Sequence, residues 1–241
     1  MSRLCSRVLA DVHRTLEEET AALARAGGDG ARPPVLLDVG CWDGAQTLRY
    51  AAPLGARCLG IEIFPEPAAA AEARGLEVAH VDLECEPFPW ADGSVDVVVC
   101  NQVLEHLKNI WLPLSEMFRV LRPGGHALLS VPNLGSLHNR VMLALGLQPT
   151  SIRTFGPHVR GYTLREFRTL VGFDEGFEVR RVRGVGFHPI PAPLSRPFAA
   201  LWPGGSHTIV VSARKRAMRD APWLRYLGEA QDEGMQTFYE G

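Results

Sequence analysis

Acidic residues and glycines follow two apolar segments near the start of the chain. The segment VLLDVGCWDGAQT runs through Asp38 and Gly40 to the pair Asp43 and Gly44, and a later apolar segment ends in Glu62, twenty-two residues past Gly40. Glycine allows a tight turn that brings backbone N–H groups toward a ligand. A carboxylate at this distance along the chain can accept hydrogen bonds from both ribose hydroxyls. These residues predict a site for a cofactor that contains a nucleoside.

Two such cofactors suit a carboxylate in this position, NAD and S-adenosylmethionine, and the charge of the glycine loop distinguishes them. A pyrophosphate needs an open glycine loop at a helix N-terminus, whereas this loop reads GCWDGA, with Trp42 replacing a glycine and Asp43 beside it. S-adenosylmethionine has no phosphate and carries a sulfonium and an amino group. The acidic loop therefore favours S-adenosylmethionine. We expect Trp42 to pack against the protein, and a cation–π contact with the sulfonium is the alternative.

The elements around these residues decide whether they meet, because ligands of open α/β sheets bind at the carboxyl ends of the strands. Five apolar runs alternate with helical segments after an amphipathic first helix, which predicts parallel strands covered by helices on both faces. Two later runs predict an antiparallel pair. We expect a doubly wound, Rossmann-like α/β sheet of seven strands. The predicted strands are 34–39, 56–63, 76–82, 95–101, 126–132, 176–187 and 206–215, and the predicted helices include 4–26, 45–52, 66–74 and 105–121.

After Pro132 the regular alternation stops, and the chain divides by composition. A short helix leads into a long loop rich in Gly, Pro, Arg and His, and a helix then restarts at a capping box formed by Thr163 and Glu166. The predicted parts are an N-terminal helix, a cofactor-binding core, an acceptor-site lid, the closing strands of the core and a C-terminal tail of unassigned role. Their bounds are 1–32, 33–135, 136–170, 171–213 and 214–241.

Composition excludes several classes of partner. With 25 basic and 27 acidic residues the net charge is −2, so neither nucleic acid nor an anionic membrane is the expected partner. No signal-peptide core or apolar run of about eighteen residues is present, which argues against membrane insertion. The five scattered cysteines form no C-x-x-C pair, and no His cluster has metal-ligand spacing. We therefore expect a reduced cytoplasmic protein without a metal, and a homo-oligomer stays open.

Four motifs in order resemble the class I S-adenosylmethionine-dependent methyltransferases: LLDVGCWDG, GIEI, VDLECEPFPWADGSVDVVVCNQVLEHL and VLRPGGHALLSVPN. The resemblance covers residues 33–135 closely and 160–213 loosely. Within the family, SVPNLGSLHNRVMLALG and HVRGYTLREF are similar to the type 11, methionine-biosynthesis methyltransferase-like branch. The resemblance implies a seven-stranded sheet with a late antiparallel pair. It also implies methyl transfer from S-adenosylmethionine, with S-adenosylhomocysteine as the product.

The resemblance implies a role for each cofactor residue. Asp38 would anchor the methionine portion, Glu62 would hold the ribose, and Asp82 would reach the adenine amino group. Asn101 and Val103 would form the floor beneath the sulfonium. Trp42 departs from the family, which usually has glycine there. The full cofactor set consists of Asp38, Gly40, Cys41, Trp42, Asp43, Gly44, Glu62, Ile63, Asp82, Leu83, Asn101 and Val103.

The acceptor site is less defined. His106 is the candidate general base for an acceptor hydroxyl, and its alternative role is that of a helix residue bonded to backbone. The lid supplies the candidate acceptor contacts Asn133, His138, Arg153, His158, Arg160 and Tyr162. Their charge suggests an anionic or hydroxyl-rich small molecule, such as a sugar, glycan precursor or natural-product intermediate methylated on a hydroxyl or carboxylate. A non-catalytic partner protein of the same fold is the alternative, and an NAD-dependent oxidoreductase is less favoured.

Overall fold

A computed structural model describes residues 3–27, 32–191, 194–217 and 219–225. The strands in these ranges are β1 Val35–Val39, β2 Arg57–Ile61, β3 Glu77–Ala79, β4 Val95–Asn101, β5 Leu121–Pro132, β6 Phe177–Val185 and β7 Thr208–Lys215. The α-helices are α1 Arg3–Ala26, α2 Ala45–Ala51, α3 Pro65–Ala73, α4 Trp111–Val120, α5 Leu137–Ala144, α6 Leu164–Val171 and α7 Ser195–Leu201.

The strands form one sheet in the order β3-β2-β1-β4-β5-β7-β6. The first five strands pair in parallel, whereas β7 pairs antiparallel with both β5 and β6. This arrangement confirms the predicted fold class. The order reverses between β1 and β4, which is where a doubly wound sheet opens a crevice for a ligand.

Both faces of the sheet are covered because successive residues of each strand point to opposite sides. Leu36 packs into an apolar cluster with residues of α1, α2 and α3. Its neighbour Leu37 packs into a second cluster with residues of α4 and α6. Burial on both faces explains why the central strands are continuous apolar runs rather than alternating ones.

The predicted third strand is too long, since β3 ends at Ala79 and Asp82 lies in a turn. The turn is closed by its own side chains. The Asp82 carboxylate accepts a hydrogen bond from the Glu84 N–H at 2.9 Å, and the Asp82 N–H donates to the Glu86 carboxylate at 2.7 Å. Such local bonds compete with strand pairing, and the run therefore leaves the sheet edge early.

The predicted helix over 105–121 is also wrong in its first half. A single 3₁₀ turn spans Leu104–His106, and α4 begins only at Trp111. The Asn109 side chain explains the late start, because its oxygen accepts hydrogen bonds from the N–H groups of Trp111 and Leu112 at 3.1 and 3.4 Å. An asparagine that satisfies these free donors begins a new helix rather than continuing an old one.

The predicted cap of α6 is confirmed, since the Thr163 hydroxyl accepts a hydrogen bond from the Glu166 N–H. By contrast, the Pro-rich segment contains α7, which the sequence analysis did not predict. Pro197 lies in its first turn, where proline removes no helical hydrogen bond.

Part of the predicted C-terminal tail packs against the sheet. Residues 222–225 form a helical turn, and the Trp223 side chain, fully buried, lies in the cluster that contains Leu37. Residues 226–241 of the tail lie outside the described residues. The described cysteines Cys41, Cys58, Cys85 and Cys100 are free thiols. None of the helices in the described ranges combines the length and apolarity needed to cross a bilayer.

Candidate functional site

The glycine loop leaves β1 in a conformation that its residues enforce. Gly40 has φ 78°, and the N–H groups of Gly40 and Cys41 both donate to the Ile61 carbonyl at the end of β2, at 2.9 and 3.0 Å. A Cβ on Gly40 would lie 2.7 Å from the Val103 side chain. The backbone at Gly40 therefore packs directly against the Val103 side chain, which leaves no room for a side chain at residue 40.

Asp38 lies beneath this loop with 4% of its surface exposed. Its carboxylate accepts a hydrogen bond from the Thr47 hydroxyl at 2.6 Å. The pKa of Asp38 is raised to about 7, mainly by burial; the Thr47 hydrogen bond opposes the rise, and the Glu62 charge adds to it. A buried carboxylate that lacks a cationic partner is costly when ionised. A ligand that brings a cation would remove that cost.

Glu62 is held rigidly at the end of β2. One carboxylate oxygen accepts a hydrogen bond from the Trp42 N–H at 3.1 Å, and the other accepts one from the Phe64 N–H at 3.0 Å. Each oxygen has a second lone pair. The carboxylate is thus fixed between the glycine loop and the start of α3, with capacity to accept from two neighbouring hydroxyls.

The other two predicted carboxylates are less available. Asp43 pairs with Arg74 at 3.2 Å. Its negative charge is therefore partly neutralised, and it adds less negative charge to the loop than predicted. Asp82 is partly engaged in the turn that follows β3. Among the four carboxylates, Asp38 and Glu62 are buried, and neither forms an ion pair with a cation among the residues that the structure describes; Glu62 accepts two backbone hydrogen bonds, whereas Asp38 accepts one from the Thr47 hydroxyl.

The remaining cofactor candidates differ in their burial and in their hydrogen bonds. Asn101 accepts a hydrogen bond from the Ser130 hydroxyl at 2.5 Å, and the next residue, Gln102, has φ 57°. The left-handed conformation at Gln102 turns the chain sharply at the end of β4. Cys41 is buried, Ile63 is half exposed, and Leu83 is partly buried against the α4 side of the core.

Trp42 does not pack as predicted. Its side chain is 60% exposed, and its described ring contact is edge-on with Phe64, with ring centroids 6.3 Å apart. Trp42 also has φ 50°, in the left-handed region that favours glycine. An exposed indole on a strained backbone contributes little to stability.

We expect the Trp42→Gly variant to be more stable than the Trp42→Ala variant by about 1 kcal/mol, because only alanine keeps a Cβ at the positive φ. Chemical denaturation of the two variants and the parent measures the difference. Equal free energies of unfolding for the two variants would contradict the assigned loop conformation.

A cluster of Glu105, His106 and His158 lies just beyond the floor residues, and the sequence analysis missed Glu105. The Glu105 side chain is 1% exposed, and neither carboxylate oxygen has a hydrogen-bond partner. The pKa of the Glu105 carboxyl is raised to about 8, because burial raises it by more than the residue's own backbone lowers it. The rings of His106 and His158 meet edge-on with centroids 4.8 Å apart. In the sequence, Glu105 could have been identified as a glutamate in the segment VLEHL, which follows a buried strand.

The lid is hydrogen-bonded to the backbone of the same segment, at residues 104–108. The Glu105 carbonyl accepts hydrogen bonds from the N–H groups of Val159 and Arg160, at 2.8 and 3.1 Å. The Arg160 guanidinium donates to the Leu107 carbonyl at 3.1 Å, and the Tyr162 hydroxyl donates to the Leu104 carbonyl at 3.2 Å. His158, Arg160 and Tyr162 thus meet at the end of β4, although the latter two support the loop through backbone contacts.

The side chains of the other three acceptor candidates contact other residues, although the Asn133 backbone forms a β-bridge with Tyr162. Asn133 is fully buried, and its amide donates to the carbonyls of Gly204 and Ser206 at 2.9 and 2.8 Å. His138 contacts the His188 ring, with centroids 4.4 Å apart. Arg153 is exposed. A cavity of about 760 Å³ lies between α5 and α6, and its lining includes none of the carboxylates discussed above.

The region that carries this site is similar in sequence to known methyltransferases. A family described as a methyltransferase domain matches residues 37–129. A probable S-adenosylmethionine-dependent methyltransferase of Mycolicibacterium smegmatis is 37% identical over 190 residues, which cover 78% of this chain and 66% of that protein. The match spans 48% of the length of two further mycobacterial relatives.

Solved structures share the fold. An S-adenosylmethionine-dependent methyltransferase from Mesorhizobium loti has a TM-score of 0.53 and 21% identity, over 80% of this chain and 96% of that one. The 1,6-didemethyltoxoflavin-N1-methyltransferase of Burkholderia thailandensis, solved with its substrate and S-adenosylhomocysteine, has a TM-score of 0.53 and 20% identity, over 83% and 78% of the two chains. At these identities the likeness is one of fold.

Proposed function

We propose that this chain, a member of the class I S-adenosylmethionine-dependent methyltransferases, transfers a methyl group from S-adenosylmethionine to an oxygen of a small biosynthetic molecule. The acceptor is a hydroxyl or carboxylate compound such as a sugar, a glycan precursor or a natural-product intermediate. The observation that carries the cofactor part of the proposal is the buried Asp38 carboxylate, which has no cationic partner among the described residues.

The residues at the strand ends fit this cofactor. Asp38 would offer negative charge to the cationic methionine portion of the cofactor, and the tight turn at Gly40 would bring the loop backbone toward that portion. The fixed Glu62 carboxylate would accept hydrogen bonds from the ribose hydroxyls. When bound, S-adenosylmethionine supplies an electrophilic methyl group and leaves as S-adenosylhomocysteine. The protein supplies orientation and exclusion of water for an in-line displacement.

An acceptor hydroxyl must lose its proton during the transfer, whereas a carboxylate acceptor need not, and the cluster at the end of β4 supports the hydroxyl case. His106 keeps 40% of its side chain exposed and stands 4.0 Å from the Glu105 carboxylate. Burial lowers its pKa, and the neighbouring His158 lowers it further, while a hydrogen bond with the Pro157 backbone raises it. A neutral imidazole is the form that accepts a proton. His106 is therefore our candidate base.

Cofactor affinity is expected to depend on pH through Asp38. The pKa of its carboxyl in the free chain is about 7, and a cationic ligand prefers the ionised form. The affinity for S-adenosylmethionine should therefore fall roughly tenfold from about pH 8 to about pH 6. Calorimetric titrations at both pH values measure it. An Asp38→Asn control should lose this dependence, and a parent protein with unchanged affinity would contradict the assignment.

The proposal is tested in two stages. Calorimetry with S-adenosylmethionine and S-adenosylhomocysteine tests cofactor binding, and no heat with either ligand from folded protein would overturn the proposal. Mass spectrometry of candidate hydroxyl and carboxylate compounds then tests for a gain of one methyl group. A methyl gain on nitrogen or carbon would retain the cofactor assignment and overturn the oxygen acceptor.

A further inference from the structure

The Glu105 carboxylate is buried without a protein group in the described ranges that compensates for its loss of hydration. Both oxygens lack a hydrogen-bond partner, and only 1% of the residue is exposed. Buried polar groups are normally paired, and leaving one unpaired is costly. No arginine or lysine forms an ion pair with Glu105 among the residues that the structure describes. A cation from outside the chain would supply the missing partner.

Two imidazoles complete the set. One ligand atom from each of Glu105, His106 and His158 lies within 4.8 Å of the others. The His158 Nδ1 atom lies 2.8 Å from the Ser151 carbonyl oxygen. A carbonyl only accepts, so Nδ1 carries the proton and Nε2 keeps its lone pair. Metal-binding histidines are held in this way, with one ring N–H donating to a backbone carbonyl.

We propose that Glu105, His106 and His158 form a binding site for a divalent transition-metal ion such as Zn²⁺, Mn²⁺ or Co²⁺. Two imidazoles and one carboxylate are a familiar set for such ions and leave coordination positions open. In a tetrahedral arrangement, ligand bonds of about 2.0–2.2 Å place the ligand atoms about 3.4 Å apart. The three ligand atoms, which lie within 4.8 Å of one another, must therefore approach by up to about 1.4 Å when the ion binds.

The site would act in the methyl transfer, and this role rests on the proposed function. An acceptor oxygen bound in an open position would have its pKa lowered by the ion, and its proton would leave to solvent. The oxygen then forms its bond to the methyl carbon while the carbon–sulfur bond breaks and its electron pair stays on sulfur. With the ion bound, His106 would serve as a ligand, and the base role proposed above would apply to the protein without the ion. The lid lies next to this site, since the N–H groups of Val159 and Arg160 donate to the Glu105 carbonyl.

Cobalt titration tests the site without knowledge of the acceptor. The full chain, treated with chelator and dialysed, is titrated with Co²⁺ while visible d–d absorption is recorded. We expect saturation at one ion per chain, without the charge-transfer band of a cysteine ligand. Glu105→Gln should weaken Co²⁺ binding about 100-fold, at least as much as the loss of an outer-shell partner. His80→Ala, which removes an exposed histidine outside the cluster, should leave binding unchanged.

The variants also separate binding from folding. Glu105→Gln replaces a buried carboxyl by an amide of the same shape, and its melting temperature in chelator should equal or exceed that of the parent. Added Co²⁺ should raise the melting temperature of the parent alone. No absorption from the parent, or identical titrations of the parent and Glu105→Gln, would overturn the metal site. Loss of S-adenosylmethionine binding would instead overturn the proposed function, because Co²⁺ binding is measured without that ligand.

Discussion

Asp38→Asn is expected to weaken S-adenosylmethionine binding about 100-fold, or about 2.7 kcal/mol, while the fold is retained. The amide has the shape of the carboxylate, and its oxygen can still accept the hydrogen bond from the Thr47 hydroxyl. What it lacks is the negative charge that a cationic ligand neutralises. At pH 8 the free variant should be at least as stable as the parent, because a buried ionised carboxylate has been removed.

Asp43→Asn is the matched control, since it makes the same change on the same loop. The Asp43 carboxylate is partly exposed and already paired with Arg74 at 3.2 Å, and exposed pairs of this kind contribute about 1 kcal/mol or less. Calorimetry should therefore show less than about a fivefold change in affinity. Similar losses from the two variants would mean that the loop responds to its overall charge, and Asp38 would lose its role as the anchor.

Trp223→Ala is expected to lower the free energy of unfolding by about 3–5 kcal/mol, with a fall in melting temperature of about 10 °C. The indole is fully buried, and its N–H donates to the Leu170 carbonyl at 2.8 Å. Its ring lies 5.8 Å from that of Phe118 and 5.4 Å from that of Phe177. Removal leaves a cavity between α4, α6 and β6 that the backbone cannot fill.

Leu224→Ala is the neighbouring control, because that side chain is 42% exposed. Its cost should stay below about 1 kcal/mol. Chemical denaturation of both variants gives the comparison. If Trp223→Ala were as mild as Leu224→Ala, the segment after β7 would be a loose appendage rather than part of the core. S-adenosylmethionine affinity below the melting transition should be the same in both variants, since neither residue belongs to the cofactor set.

The sheet could be predicted because its central strands are buried on both faces. VLLDV and VDVVVCN admit few alternatives to parallel strands, and the residues that follow them meet at one edge by topology. Helix starts were harder to predict, since Asn109 and Thr163 are similar capping residues and only the second was identified. The packing of Trp223 against the core could not be predicted, because a single buried aromatic side chain forms no periodic pattern in the sequence.

At the site, the sequence located Asp38 and Glu62 but not the balance of charges around them. Asp43 is paired with Arg74, thirty-one positions further along the chain. Glu105 and His158 are brought together only by the folding of the lid onto β4. Neither pairing has a spacing rule, so composition and motif order could not reveal them. The exposure of Trp42 could not be predicted either, because the sequence does not reveal the left-handed backbone at this position.

The Glu105 carbonyl that accepts from Val159 and Arg160 has a consequence for how the two substrates bind. The lid segment that would contact the acceptor is thus hydrogen-bonded to the turn next to the candidate cofactor floor. We expect a ligand that displaces either side of this contact to change the affinity for a ligand on the other side, and by thermodynamic reciprocity the two affinities then change by the same factor.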